Sequence, residues 1–236
     1  MKVAIISDLH SNREALEEVF AHIRSQGITT LYCLGDIVGY GPEPEFCVDL
    51  VRGHAQVCLM GNHDEALFHD ASDFNPHARR AIEYTRERMQ PKWYSSSEKK
   101  GRWKWLRELP LVHQEGRFTF VHGSTRDPVR EYVLSTDGFL NPGKLRAIFD
   151  SFEGVAIGGH THHPGLHDES LRFHSLNGAD SVTMPLEEDQ KYFINVGSTG
   201  QPRDGDKRAC YAVIEEDRVT WHRVLYDFRA TQEKIY

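Results

Sequence analysis

Short apolar, β-branched runs separated by polar breaks organise the first 60 residues. Three of them, at 2–7, 30–34 and 56–60, read as strands. Between the first two, Ala15, Leu16, Val19, Phe20 and Ile23 recur at helical spacing. Ser11-Asn12-Arg13-Glu14 stands in front of this helix as a capping box, and Gly27 falls where a C′ glycine belongs. A second helix is predicted from Pro44 to Arg52. Strands alternating with helices in this way imply βαβ units and a parallel sheet.

The strand signal stops at about residue 65 and returns after 110. In between, Ala78, Ile82, Tyr84 and Met89, then Trp103, Leu106 and Leu109, are spaced as on helices, which predicts a helical insertion. Strands resume at 118–121, 155–157, 192–196 and 210–215, and the last is predicted to pair with 219–225 across a Glu-Glu-Asp-Arg turn. Residues 164–190, polar and glycine-containing with an acidic Glu187-Glu188-Asp189 patch, read as a long loop with little regular structure. No internal repeat interrupts the pattern, and 1–236 reads as a single domain.

Composition narrows the class. With 236 residues, 39% hydrophobic and 27% charged, the chain is an ordinary soluble globular protein able to bury a sizeable core. A net charge of −7 argues against a protein that coats nucleic acid or an anionic membrane. The apolar run at 3–6 is too short for a signal peptide or a membrane span. Cys33, Cys47, Cys58 and Cys210 lack CxxC spacing and sit among apolar neighbours, as reduced cysteines of a cytoplasmic protein do. Histidine is the outlier, at 14 residues, and directs attention to metals.

The chemistry-bearing residues cluster just after the predicted strands: Asp8-Leu9-His10, Gly35-Asp36, Gly61-Asn62-His63-Asp64, Val121-His122-Gly123 and Gly158-Gly159-His160-Thr161-His162. All lie at C-terminal strand ends, the edge where open α/β sheets bind ligands. Asp8, His10, Asp36, Asn62, His122, His160 and His162 offer nitrogen and oxygen donors and no sulfur, a set suited to Mn, Fe or Zn. Seven donors exceed what one tetrahedral ion needs and suit two ions about 3.5–4 Å apart that share a carboxylate. The neighbouring glycines are expected to supply the sharp turns that aim these side chains. His160 and His162 would lie on opposite faces of a strand but converge from a loop, each then serving a different ion.

Taken in this order, DLH, GD, GNHD, VHG and GGHTH resemble the calcineurin-like metallophosphoesterase superfamily. The ending Asn195-Val196-Gly197-Ser198 with Gln201-Pro202-Arg203-Asp204-Gly205-Asp206 is similar to its small bacterial and archaeal phosphodiesterase-type members. The resemblance implies a four-layer α/β/β/α sandwich of two mixed sheets flanked by helices. It implies that Asp8, His10 and His162 bind one metal and Asn62, His122 and His160 the other, with Asp36 bridging. His63 would be the non-ligand histidine that stabilises the transition state or protonates the leaving oxygen, oriented by Asp64. Substrate would meet Asn62, His63 and Arg203. The implied cofactors are two divalent or trivalent transition ions, Mn first, with Fe, Zn, Ni or Co as alternatives. The implied reaction is hydrolysis of phosphodiesters by a metal-activated water. The protein-phosphatase signature GDxxDRG is absent, since Gly35-Asp36 continues as Ile37-Val38-Gly39-Tyr40-Gly41.

Plainer readings stand beside these. An aspartate after a strand is ordinarily a cap or turn residue, but five motifs in register favour ligands. The nine remaining histidines, His22, His54 and His222 among them, read mostly as surface residues, and His163 has no role in the family pattern. Residues 92–107 interleave Lys99, Lys100, Arg102, Lys104 and Arg107 with Trp93, Tyr94, Trp103 and Trp105. They read as an amphipathic helix with buried aromatics rather than a nucleic-acid stacking surface. Arg203 is either a phosphate clamp or a surface residue. The partner expected is a small phosphoester or nucleotide, with no membrane. Alternatives to a phosphodiesterase are a phosphomonoesterase, a dinucleoside polyphosphate hydrolase whose pocket Tyr40 lines, and a silent scaffold of the same fold.

Overall fold

The computed structural model describes residues 2–235. The first third forms the βαβ units expected: β1 (Lys2–Ile6), α1 (Arg13–Ser25), β2 (Leu31–Cys33), α2 (Pro44–His54) and β3 (Val57–Cys58), with β1, β2 and β3 parallel. Helices α3 (Asn62–Ala66), α4 (Pro76–Met89) and α5 (Ser97–Arg107) fill the predicted helical insertion. There follow β4 (Val112–Glu115), β5 (Phe118–Val121), α6 (Asp137–Leu140), α7 (Pro142–Phe149) and β6 (Val155–Gly158). The chain continues with β7 (Gly165–Asp168), β8 (Phe173–Ser175), β9 (Ser181–Pro185), β10 (Tyr192–Asn195), β11 (Ala209–Glu215), β12 (Arg218–Val224) and α8 (Phe228–Ile235). Of these, β4, α6, α7 and α8 carry no clear sequence signal.

The strands make two six-stranded mixed sheets, β3-β2-β1-β11-β12-β9 and β4-β5-β6-β10-β7-β8. Strand β1 shows why they stack. Val3 and Ile5 point into an apolar core shared by both sheets, with Leu34, Phe120, Ile194 and Trp221, whereas Ala4 and Ile6 point outward under α1 and α2, against Leu16, Val19 and Val48. A strand buried on both faces is apolar at every position, which is why it reads as a continuous run. Leu145, Ile148 and Phe149 of α7 cover the far face of the second sheet. The layers are therefore helix, sheet, sheet, helix, as the resemblance implies. Trp221 ties them together, its Nε1 donating to the Asn195 carbonyl at 2.9 Å across the interface. No described helix is long and apolar enough to cross a membrane.

Four expectations are corrected. The cap of α1 is Asn12, whose side chain accepts from Ala15 N at 3.1 Å; Ser11 cannot serve because it turns through a left-handed φ of 55°. Residues 164–190 contain three strands. Pairing supplies the order that composition does not show: β7 joins β10 and β8, while β9 joins β12 with Thr183 opposite Thr220, hydroxyl to hydroxyl at 2.9 Å. The alternation of Val182 and Met184 toward the inter-sheet core is the legible signal. The basic-aromatic segment divides. Trp103 and Trp105 pack on the core, but Trp93 and Tyr94 precede α5 and stand 88% and 65% exposed. His22 and His222 are also not free surface residues, since both half-buried rings pack on Tyr211.

Candidate metal centre

The parallel strands β1, β2, β5 and β6 end side by side, and the chain turns sharply at each end. Among the described residues nine non-glycines have left-handed backbone, and seven of them are here: Asp8 (φ 54°), His10 (47°), Ser11 (55°), Asp36 (51°), Tyr40 (54°), His160 (66°) and His162 (61°). The turns expected on glycine do occur at Gly35 (φ 105°) and Gly39 (95°), but most fall on the chemistry-bearing residues themselves, and Asp and His tolerate this conformation better than most. Such strain persists only where the surroundings over-determine it. Here Leu9 N and His10 N donate to the Asp36 carbonyl at 2.8 and 3.0 Å, and Gly200 N and Ser198 Oγ to the Asp8 carbonyl at 3.0 and 2.8 Å. Two of the glycines permit close approach instead. A Cβ on Gly61 would lie 2.2 Å from Asp36 N and Oδ1, and one on Gly159 2.2 Å from Ser7 Oγ.

All seven donors predicted from the sequence converge and are buried. Their polar atoms form overlapping groups in which all members lie within 4.8 Å: Asp8, His10 and His162; Asp36, His122 and His160; and His10, Asp36 and His63. Asp36 Oδ2 lies between the first two groups, 3.8 Å from His10 Nε2 and 3.6 Å from His122 Nε2, while its Oδ1 accepts from His63 N at 2.8 Å. Asn62 Oδ1 is 3.1 Å from His122 Nε2.

Hydrogen bonds fix which ring nitrogens face inward. His10 Nδ1 donates to the Val38 carbonyl at 3.2 Å, His122 Nδ1 to that of Leu34 at 3.1 Å, and His162 Nδ1 to that of Gln201 at 2.5 Å. A carbonyl only accepts, so each Nδ1 carries a proton and each Nε2 is left to face the site. His160 is reversed, with Nε2 donating to the Arg130 carbonyl at 3.2 Å. His10 Nε2 and His162 Nε2 face each other at 3.2 Å, and His162 Nε2 is also 3.2 Å from Asp8 Oδ1. Burial, then the neighbouring His63 and His162, push His10 well below the usual imidazole range and keep it neutral. Burial likewise lowers His122, and lowers His160 to about 3. Asp36 is raised well above the carboxylate range by burial and then by the charges of Asp8 and Asp64. The neutral imidazoles of His10, His122 and His160, around carboxylates that resist ionising together, fit bound cations.

Asp64 departs from expectation. Its carboxylate accepts from the backbone of Ile37 (3.1 Å), Val38 (3.3 Å) and Gly61 (3.1 Å) and does not touch the His63 ring. It clamps the two loops that carry Asp36 and Asn62 rather than orienting His63. His63 Nδ1 is buried without a hydrogen-bond partner among the described residues, and burial, then the nearby His122, His162 and Arg203, lower its pKa to about 3.

Above the rim lies a pocket of about 330 Å³ bordered by His63, Phe74, Arg130, Tyr132 and Arg203. Arg203 is exposed at its edge, hydrogen-bonded to Gln201 and 5.7 Å from the Tyr40 ring centre. Arg130 and Tyr132 carry no sequence signal, for they belong to an irregular stretch after β5. Tyr132 stacks on His160 at 3.8 Å, and the Arg130 carbonyl holds the same ring. Asn195 enters the sequence pattern only as part of a motif. Its Nδ2 donates to the Gly159 carbonyl at 2.5 Å and to Thr161 Oγ1 at 2.9 Å, so it shapes the His160–His162 loop. His163 turns away, its Nδ1 on the Thr161 carbonyl.

Comparison with known proteins places this arrangement. A metallophosphoesterase of Sphaerobacter thermophilus has a crystal structure that superposes with a TM-score of 0.83 at 36% identity, covering 100% of this chain and 93% of that one. An uncharacterized protein of Methanocaldococcus jannaschii is 35% identical over 242 residues, 99% of this chain and 91% of its own. The symmetrical bis(5'-nucleosyl)-tetraphosphatase of Aromatoleum aromaticum is 28% identical over 131 residues, 52% of this chain and 46% of its own. The model of the calcineurin-like phosphoesterase family matches residues 1–164, which contain the whole imidazole and carboxylate rim. By fold, by sequence and by the residues at its strand ends, the chain belongs to the calcineurin-like phosphoesterase family.

Proposed function

We propose that the protein hydrolyses phosphodiesters with two transition-metal ions bound at the strand-end rim. The observation that carries this reading is the convergence of buried imidazole and carboxylate groups, with His10 Nε2 and His162 Nε2 3.2 Å apart beside the carboxylates of Asp8 and Asp36. Asp8, His10 and His162 would hold one ion and Asn62, His122 and His160 the other, with Asp36 shared. Nitrogen and oxygen donors of this kind suit Mn, with Fe, Zn, Ni or Co as alternatives. When bound, two such ions polarise the phosphoryl oxygens and make water acidic enough to attack at neutral pH.

The chain's own residues do the rest. The Nδ1 hydrogen bonds of His10, His122 and His162 keep their tautomers fixed. Phe74 and Tyr132 give the pocket apolar walls, and Arg203 at its edge would meet phosphate oxygens, whereas the Arg130 guanidinium is paired with Glu65 and Asp73. Neutral at rest, His63 would share a ring proton with the leaving oxygen as negative charge builds there. A reading as a dinucleoside polyphosphate hydrolase draws support from the tetraphosphatase relative and from the aromatic pocket walls.

Metal analysis of the purified protein, followed by mono- and diester substrates with each metal added back, tests the proposal. Two ions per chain, both weakened by Asp36→Asn, and a higher kcat/KM on diesters than on phosphoserine peptides or monoesters are expected. A metal-free active protein, or a preference for monoesters, overturns it.

A further inference from the structure

A second pocket, of about 270 Å³, adjoins the catalytic one. Tyr40 lines both, so its ring is the wall between them. That wall is held in place, edge-on to His10 with ring centres 4.9 Å apart and 4.7 Å from the centre of His63. The second pocket reaches the metal rim at His10 and Gln201, and its outer side is built from Tyr226, Phe228 and Lys207. Lys207 Nζ lies 4.8 Å from the centre of the Phe228 ring. Asn12, Gln201 and Gln232 add amide residues, Thr231, Pro202 and Ile235 also line it, and among the described residues no carboxylate contributes. Three aromatic rings, one ammonium group and three amide residues describe a slot for a flat ring with hydrogen-bonding edges and an electron-rich character. The volume falls just below the usual range for ligand pockets and admits one ring system rather than a large ligand.

A phosphodiester carries two organic groups that leave phosphorus in different directions. His63 borders only the first pocket, so the leaving group belongs there, and the group retained on phosphorus must go elsewhere. We propose that the pocket behind Tyr40 binds the retained substituent and that this substituent is a nucleoside, its base between Tyr40 and Phe228 and its polar edge toward Lys207. The inference rests on the diesterase reading above and adds a substrate class to it. A diester then straddles Tyr40 with one group on each side, whereas a monoester leaves the second pocket empty.

Three diesters with the same leaving group test this: methyl p-nitrophenyl phosphate, bis(p-nitrophenyl) phosphate and thymidine 5'-p-nitrophenyl phosphate. Since the bond broken is the same, differences report on the retained group. The thymidine ester should exceed the methyl ester in kcat/KM by at least about tenfold, mainly through KM, as expected for one stacked base. Phe228→Ala and Lys207→Ala should each bring that ratio toward one; Lys207 is exposed, so its variant folds even if the other does not. Equal rates for the methyl and thymidine esters, or a ratio that survives both substitutions, overturn the subsite. If no diester is hydrolysed with any metal, the diesterase reading fails by itself. Equilibrium dialysis of thymidine 5'-phosphate then decides the subsite, with unaltered binding by both variants overturning it and weakened binding supporting it.

Discussion

His63 is the residue whose proposed role its surroundings bear on most directly. It is buried, its Nδ1 has no partner among the described residues, and its ring contacts His10, Tyr40 and Phe74 rather than a carboxylate. A proton on this ring is therefore favoured only when negative charge builds beside it, which is the situation at a departing alkoxide. His63→Ala should retain both metals while lowering kcat by about 10²–10⁴ for a poor, alkoxide-like leaving group, with a smaller loss for p-nitrophenolate. Steady-state rates on paired substrates, with metal content measured on the same samples, distinguish this from the alternative. Loss of a metal, or equal slowing of both substrates, would make His63 a ligand alongside His10 and Asp36. Asp64 shows the converse: adjacent in sequence to His63, it is spent on three backbone amides.

At the level of elements, the site is a set of strand ends held by the loops around them. The irregular stretch after β5 returns to the rim and grips His160 twice, through the Arg130 carbonyl and the Tyr132 ring. The loop after β10 grips His162 through the Gln201 carbonyl. That loop is anchored in turn by Asp204 and Asp206 against Arg223 of β12, whose side chain is fully buried. Partners of this kind orient ligands, and losing one typically costs about 10–100-fold in metal affinity. Tyr132→Ala should weaken one of the two metals about tenfold, read by competition with a chromophoric chelator, while Tyr132→Phe keeps it, because the ring and not the hydroxyl makes the stack. Equal metal affinity in all three proteins would reduce Tyr132 to a pocket wall.

Across the whole molecule, the two sheets are joined at their common core, and the joint is connected to the site. Trp221 of the first sheet donates to Asn195 of the second, and Asn195 shapes the His160–His162 loop. On the outer face of the first sheet, His222 stacks on Tyr211. Burial, then the charges of His22 and Lys2, lower its pKa to about 4. An unfolded histidine titrates near about 6.5. Between these values the unfolded chain takes up a proton that the native protein refuses, so the contribution is present above about pH 6.5 and lost as the pH falls toward about 4. His222→Gln should therefore lose less stability than the parent between about pH 7 and pH 5, measured by urea unfolding at both. An identical loss in the two proteins would place the acid sensitivity elsewhere.

Elements with a repeating apolar pattern are legible because periodicity is a local property. The runs that form β1, β2, β5, β6 and β10 are buried on both faces and so are apolar throughout, and the helical spacing of 15–23 and 78–89 matches α1 and α4. The donors at the strand ends are legible too, since a motif such as GNHD is contiguous and its residue types announce metal chemistry. Strands β7, β8 and β9 are not, because short polar edge strands take their order from a partner distant in sequence, as Thr183 does from Thr220. Nor does any local pattern disclose that Asp64 faces backbone amides, that Tyr132 covers His160, or that Tyr40 stands between two pockets. Those relations are made by tertiary structure, the pairing of β2 with β3 bringing Ile37 and Val38 to Asp64 and that of β5 with β6 bringing Tyr132 to His160.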